Sequence, residues 1–270
     1  MHDKLDELKA ILERYERVAV AFSGGVDSTF LIAVAQEVLG EGVVAVIGRS
    51  PTYPKQELEA AVRLAESIGV RYEIVDTNEM DDPAFSENSP ARCFHCKTTL
   101  FKTIGKIAEQ VGAKVMVEGS NADDASDFRP GMAATKQLGV KAPLLEAGLT
   151  KDEIRALSKE MGLPTWDKPA MACLSSRIPY GETITLKRLG RIEQAEYALR
   201  RLGLNQLRVR DHGEVARIEV SPDDIPALAA PDLRAKVVAA LKKVGYPYVC
   251  LDLTGYRTGA MNEVLKEEPR

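Results

Sequence analysis

The feature that most constrains this chain is Ser23-Gly24-Gly25-Val26-Asp27-Ser28, set between two apolar segments of different character. Before it, residues 17–22 carry one charge and then Val-Ala-Val-Ala-Phe, the pattern of a buried strand. After it, residues 28–39 are apolar enough for a buried helix, closed by Gly40. The paired glycines open backbone conformations that other residues avoid. Successive N–H groups in such a turn form a nest for anionic oxygens, and the helix that follows adds its unpaired donors and the positive end of its dipole. Ser23 and Ser28 supply further hydroxyl donors. An aspartate beside a phosphate needs a cation between them, which assigns Asp27 to Mg²⁺. The lysine-containing loop Gly-x-x-x-x-Gly-Lys-Ser/Thr is a different pattern.

The same alternation continues. Apolar residues at helical spacing open the chain over 5–15, and strands over 43–47, 71–75 and 114–117 alternate with helices over 55–68 and 98–111. The stretch 83–90 reads as a loop. A further helix over 151–161 is introduced by Thr150, with Glu153 placed to complete a capping box. This order predicts an α/β fold, a doubly wound parallel sheet over residues 1–179. From about Tyr180 the pattern changes: a helix over 186–202, strands over 206–210 and 215–220 joined by a turn at Asp211-His212-Gly213, a helix over 233–244 and a strand over 248–253 predict a smaller α+β domain over 180–270. In an open α/β sheet, ligands sit beyond the carboxyl ends of the strands. Gly48-Arg49-Ser50 after the second strand and Glu118-Gly119-Ser120-Asn121-Ala122-Asp123-Asp124 after the fourth therefore join the first loop at one edge. Asp123 and Asp124 suit either Mg²⁺ or an Asx-type turn.

A formal net charge of −4 gives no broad basic excess for a nucleic-acid partner. No run of about 18 apolar residues suggests a membrane span, and the first residues lack the basic and apolar pattern of an export signal. A cytoplasmic location is the expectation, with the four cysteines as thiols, metal ligands or catalytic groups. Cys93-Phe94-His95-Cys96 has the Cys-x-x-Cys spacing, which suits zinc, a redox pair or part of an iron–sulfur site. Cys250, inside Tyr248-Val249-Cys250-Leu251, reads as core. Cys93, Cys96 and Cys173 suit a [4Fe-4S] cluster with one iron lacking a protein ligand; zinc with His95 and independent thiols remain open alternatives.

The hexapeptide loop resembles that of the N-type ATP pyrophosphatases, the PP-loop superfamily, in which it holds the β,γ-pyrophosphate of ATP while the α-phosphate is attacked. Over essentially its whole length the chain resembles the LarE family of ATP-dependent sulfur transferases, which build the nickel-pincer nucleotide of lactate racemase. The likeness is carried by Ser23-Gly24-Gly25-Val26-Asp27-Ser28, by Ser50-Pro51-Thr52-Tyr53-Pro54, and above all by Trp166-Asp167-Lys168-Pro169-Ala170-Met171-Ala172-Cys173-Leu174-Ser175-Ser176-Arg177-Ile178-Pro179-Tyr180-Gly181. It continues in Arg208-Val209-Arg210, Ala216-Arg217-Ile218-Glu219-Val220 and Leu251-Asp252-Leu253-Thr254-Gly255-Tyr256-Arg257-Thr258-Gly259.

The resemblance implies that ATP adenylates the carboxylates of pyridinium-3,5-biscarboxylate mononucleotide and that sulfur then displaces AMP. It makes Cys173 and Asp27 the catalytic positions and Ser23, Gly24, Gly25, Asp27, Ser28, Arg49, Ser50, Gly119 and Asn121 the ATP-binding set. Asp27 and Asp124 would hold Mg²⁺, and Glu196 is a weaker metal candidate beside the reading of an ordinary exposed helix glutamate. Arg177, Arg208 and Arg210 suit the substrate's phosphate and carboxylates, since guanidinium forks match both. One type of family member sacrifices the cysteine at the position of Cys173; this chain carries Cys93 and Cys96 as well, so the cluster type, fed by a sulfide donor, is expected. The family suggests a homo-oligomer. Other readings are a tRNA thiolase, an ammonia-using synthetase and a nucleotide sensor.

Overall fold

The computed structural model describes residues 1–126, 130–169, 171–257 and 259–265, so Ala170 and Thr258 of the motifs above lie outside the described residues. Contacts divide the chain into two units, Met1–Phe85 with Pro90–Met171 and Ser86–Ser89 with Ala172–Arg270.

In the first unit the elements run α1 (His2–Tyr15), β1 (Val18–Ala21), α2 (Val26–Leu39), β2 (Val43–Arg49), α3 (Lys55–Ile68) and β3 (Arg71–Asp76). A four-residue helix α4 (Pro83–Ser86) follows, then α5 (Arg92–Val111), β4 (Val115–Val117), α6 (Pro130–Gln137), α7 (Pro143–Glu146) and α8 (Lys151–Glu160). The four strands form one parallel sheet in the order β3-β2-β1-β4. Val18, Ala19 and Val20 are fully buried, as expected of a central parallel strand covered on both faces. Phe30, Leu31, Ile32, Val34 and Ala35 of α2 are also inaccessible, so this helix is apolar all round because it lies inside the unit. Thr150 and Glu153 form the expected capping box on α8. Helix α5 begins at Arg92, six residues before the expected start at 98, and this places Cys93 and Cys96 on its first two turns.

In the second unit, α9 (Leu186–Arg200), β5 (Leu207–His212), β6 (Val215–Val220), α10 (Ile225–Ala229), α11 (Pro231–Val244) and β7 (Tyr248–Leu251) make a three-stranded sheet, order β5-β6-β7, with β5–β6 antiparallel and β6–β7 parallel. The expected loop at 83–90 supplies part of this unit. Buried Asn88, with φ 58°, donates from Nδ2 to the carbonyls of Ile178, Pro179 and Glu182 at 3.2, 2.7 and 3.1 Å.

The structure differs from the sequence expectation at Asp211, Cys250 and Glu196. Asp211 is not a turn residue: it is buried in β5, where its carboxylate accepts from Arg188, Arg191 and Tyr246, and the reversal comes after His212. Cys250 is exposed rather than core. On edge strand β7, Val249 and Leu251 pack on the core while Tyr248 and Cys250 take the opposite face, as a period of two requires. Glu196 is fully buried, not an exposed helix glutamate. It accepts from Arg177 Nε and Nη2 at 2.8 and 3.1 Å, from Arg200 at 3.1 Å and from the Val209 N–H at 3.2 Å. Burial pushes its carboxyl up, and Arg177 and Arg200 more than offset this, holding it below the ordinary carboxylate range.

Removing one partner of a buried ion pair strands the other charge, at a cost of about 3–5 kcal/mol. Arg177→Met should destabilise the second unit by roughly the lower end of that range, since Arg200 stays with Glu196. Urea unfolding followed by a probe in residues 172–257 checks this, and a loss below about 1 kcal/mol would contradict the role given to the pair.

Candidate active site

The strand order reverses at β1: the chain steps from β1 outwards to β2 and β3, then returns to place β4 on the other side of β1. Loops leaving β1 and β4 at their carboxyl ends diverge there and open a crevice. A cavity of about 400 Å³ occupies this position, lined by Ser23, Gly25 and Asp27 of the first loop and by Asn121, Asp123 and Asp124 of the loop after β4. Tyr53, Glu57, Lys151 and Lys168 add polar groups to its wall, and Val26, Pro169 and Met171 complete it.

The loop geometry follows from its residues. Gly24 sits at φ 65°, and a Cβ there would meet Ala61 Cα and Cβ at 3.1 Å. Only glycine combines that conformation with that approach to α3. Ser28 lies in the first turn of α2; its Oγ is 3.2 Å from Ser23 Oγ and donates to the Gly25 carbonyl at 3.3 Å. Gly119 lets the β4 loop lie against the start of α2, where a Cβ would come within 3.1 Å of the Ser28 nitrogen.

Asp27 Oδ2 accepts from Lys151 Nζ at 2.5 Å, and Oδ1 accepts from Asn121 Nδ2 at 3.3 Å. Asp124 accepts the Asn121 N–H at 3.0 Å, and Asp123 accepts the Lys151 N–H at 2.8 Å. The second aspartate pair thus shapes the loop and the start of α8 while facing the cavity. Among the described residues no three His, Cys, Asp or Glu side chains are gathered as a ready ligand set, and an ammonium meets Asp27 where the sequence calls for a cation.

Arg49 and Ser50 take other positions. Arg49 forms a bidentate pair with Asp76 at 2.5 and 2.7 Å on the exposed end of β2 and β3. Ser50 donates to buried Glu79 and accepts the Thr52 N–H at 2.9 Å. The Arg49 side chain ties the ends of β2 and β3, the Ser50 side chain fixes the turn after β2, and neither lines the cavity.

Cys93 is exposed and Cys96 half-buried, one turn apart at the start of α5. Between them His95 Nδ1 is 3.1 Å from Asp82 Oδ2. Cys173 belongs to the second unit, where it starts the turn Leu174–Arg177. Its carbonyl accepts from Arg177 Nη1 at 2.9 Å and from the Ser176 N–H at 3.0 Å. Arg177 is fully buried and reaches the Ala172 carbonyl at 2.7 Å as well. Arg210 forks onto Glu219 at 2.9 and 2.6 Å and gives its third nitrogen to the Ser176 carbonyl at 2.7 Å. Arg208 lies 5.0 Å from the Tyr256 ring, and burial together with Arg177 lowers its pKa.

The model of the NAD synthase family matches residues 3–103. The chain is 43% identical to an uncharacterized protein of Synechocystis sp., over 98% of this chain and 99% of that one. It is 36% identical to the pyridinium-3,5-bisthiocarboxylic acid mononucleotide synthase of Lactiplantibacillus plantarum, over 96% of this chain and 93% of that one. The chain belongs to the family of pyridinium-3,5-bisthiocarboxylic acid mononucleotide synthases. The tRNA-specific 2-thiouridylase of Rickettsia africae is more distant, 25% identical over 58% of this chain and 53% of that one.

As an enzyme of this family, of PP-loop ATP pyrophosphatase type, the chain uses ATP. Sequence reasoning missed four polar wall residues. Tyr53 and Lys168 lie inside the quoted family motifs but carried no chemical signal of their own. Glu57 reads as an ordinary first-turn carboxylate. Lys151 did leave a trace: a lysine at the first position of a helix opposes the dipole, and Asp27 is the partner that explains it.

Gly24→Ala should lower ATP affinity about tenfold or more and cost roughly 1–3 kcal/mol of stability. Gly40→Ala, at φ 52° with open space around it, shares the strain but not the site. Equilibrium ATP binding and thermal unfolding of both variants separate the effects: Gly40→Ala should bind ATP as the wild type does.

Proposed function

We propose that this enzyme binds Mg²⁺-ATP in the cavity between the loops after β1 and β4, adenylates the carboxylates of pyridinium-3,5-biscarboxylate mononucleotide in turn, and replaces each AMP by sulfur. The product is the bisthiocarboxylate named in its Lactiplantibacillus plantarum relative. The observation that carries this reading is the glycine loop at the reversal point of the sheet, with Lys151 and Lys168 facing the same cavity. Backbone N–H groups of the loop and the Lys151 ammonium match a leaving pyrophosphate. A carboxylate oxygen attacks the α-phosphorus, the bond to the β-phosphate breaks, and pyrophosphate leaves. Sulfide then adds to the carbonyl carbon and AMP departs with the former carboxylate oxygen.

Asp27 and Asp124 both face the cavity and fit Mg²⁺ as hard oxygen ligands; the ion would neutralise phosphate charge. Lys151 then finds its second anionic partner in the phosphates. Cys93 and Cys96 also fit their assignment. Two thiols one turn apart at the start of α5 are ligands of the kind an iron site takes. With Cys173 they would hold a [4Fe-4S] cluster, which supplies an iron able to carry sulfide to the activated carbon. Arg177 keeps the Cys173 backbone fixed through its carbonyl, and Arg208 and Arg210 supply positive charge in the same unit for the substrate's phosphate and carboxylates.

Anaerobic purification followed by iron and sulfide analysis, with the protein mass measured after turnover, tests the sulfur route. The expected result is iron and sulfide at cluster stoichiometry and an unchanged mass, with iron lost in Cys93→Ala. Absence of iron together with loss of one H₂S from Cys173 would replace the cluster with a sacrificial cysteine.

A further inference from the structure

A loop that binds anions through backbone N–H groups fails if its peptides turn over, because each flip presents a carbonyl oxygen to the anion. Two peptides here are prone to it. The Ser23–Gly24 peptide turns on a glycine φ, and the Gly24–Gly25 peptide has glycine on both sides, where both signs of φ are open. Both carbonyls are held by side chains from other segments. The Tyr53 hydroxyl donates to the Ser23 carbonyl at 2.5 Å, and Lys168 Nζ donates to the Gly24 carbonyl at 2.9 Å. The next carbonyl, of Gly25, accepts the Thr29 N–H at 2.9 Å within α2. In a trans peptide the N–H points opposite to the C=O, and no described peptide is cis. Fixing the two carbonyls therefore fixes the directions of the Gly24 and Gly25 N–H groups.

Both holding groups are themselves anchored. Lys168 pairs with Glu57 at 2.8 Å. Tyr53 ends a turn in which its N–H donates to the Ser50 carbonyl at 3.1 Å and the Thr52 N–H to Ser50 Oγ at 2.9 Å. That turn rests on Glu79, 1% exposed, whose Oε1 accepts from both the Ser50 hydroxyl and the Thr52 hydroxyl, the latter at 2.8 Å. Its other oxygen is buried with no hydrogen-bond partner among the described residues. A carboxylate left half-satisfied inside the protein is costly, and a turn that served packing alone would be better built without it. Burial and the charge of Glu57 raise the Tyr53 pKa, so the hydroxyl remains a donor.

We infer that Tyr53 and Lys168 are positioning residues that lock the two flip-prone peptides of the phosphate loop with their donors set for pyrophosphate, and that Glu79 holds Tyr53 in place. The inference rests on the assignment of the cavity to ATP. Binding of inorganic pyrophosphate with Mg²⁺, and separately of AMP, is measured by calorimetry on the full-length wild type, Tyr53→Phe, Glu79→Gln and the double variant. Loss of one neutral hydrogen bond should weaken pyrophosphate binding about threefold to tenfold in Tyr53→Phe and leave AMP binding unchanged. Glu79→Gln should act in the same direction, and the double variant should be no worse than the more affected single variant, because both act through one contact. Pyrophosphate affinity equal to wild type in Tyr53→Phe, or parallel losses for pyrophosphate and AMP, would overturn the inference. Wild-type protein that binds neither ligand would instead overturn the ATP assignment beneath it.

Discussion

Strand β1 is the constraint on which the first unit depends. It is sealed between β2 and β4 with no accessible surface at Val18, Ala19 or Val20, so the chain can leave it only at its carboxyl end. It must then re-enter the unit at once as α2, because Phe30, Leu31 and Ile32 are each worth about 1.5–3 kcal/mol when buried. The turn between them is short, left-handed at Gly24 and pressed against Ala61. The loss of about 1 kcal/mol that glycine brings relative to alanine in regular structure is small beside the burial of one such helix. The position of this loop at the crevice is thus a product of the sheet's connectivity, with α2 supplying both the apolar mass that fixes the turn and the free N–H groups at its start.

The second unit works by different physics. Its sheet carries Arg208, Arg210 and Arg217 with Glu219 on one face, and Asp211 with its two arginines and Tyr246 near the strand end. Arg177 and Glu196 add a buried pair. Arginine suits this role because its planar fork satisfies a carboxylate and a backbone carbonyl together, as Arg177 does for Glu196 and Cys173 and Arg210 does for Glu219 and Ser176. The cysteine turn 173–177 is held by guanidinium groups on its carbonyls as well as by the buried side chain of Leu174.

Much of this was legible in the sequence, for identifiable reasons. Strands of the parallel sheet read as short apolar runs and the phosphate loop as paired glycines between strand and helix; the Thr150 capping box needed only local chemistry. What was not legible depended on partners distant in sequence. Asp211 looks like a turn residue until Arg188, Arg191 and Tyr246 surround it. Cys250 looks like core because periodicity does not say which face of an edge strand is covered. Ser50 follows a strand at the ligand edge, yet its hydroxyl turns inward because Glu79 lies there. Lys151 and Lys168 reach the cavity from segments more than 120 residues beyond the loop they serve, as their contacts with Asp27 and Gly24 show.

Cleavage of ATP between its α- and β-phosphates to activate a carboxylate, as proposed for this loop, can be followed atom by atom with oxygen-18 in the carboxylates of the pyridinium mononucleotide. Each thiocarboxylate formed should be matched by one labelled AMP and unlabelled pyrophosphate, detected by mass spectrometry. Label in inorganic phosphate with ADP as the other product, or AMP carrying no label, would contradict it.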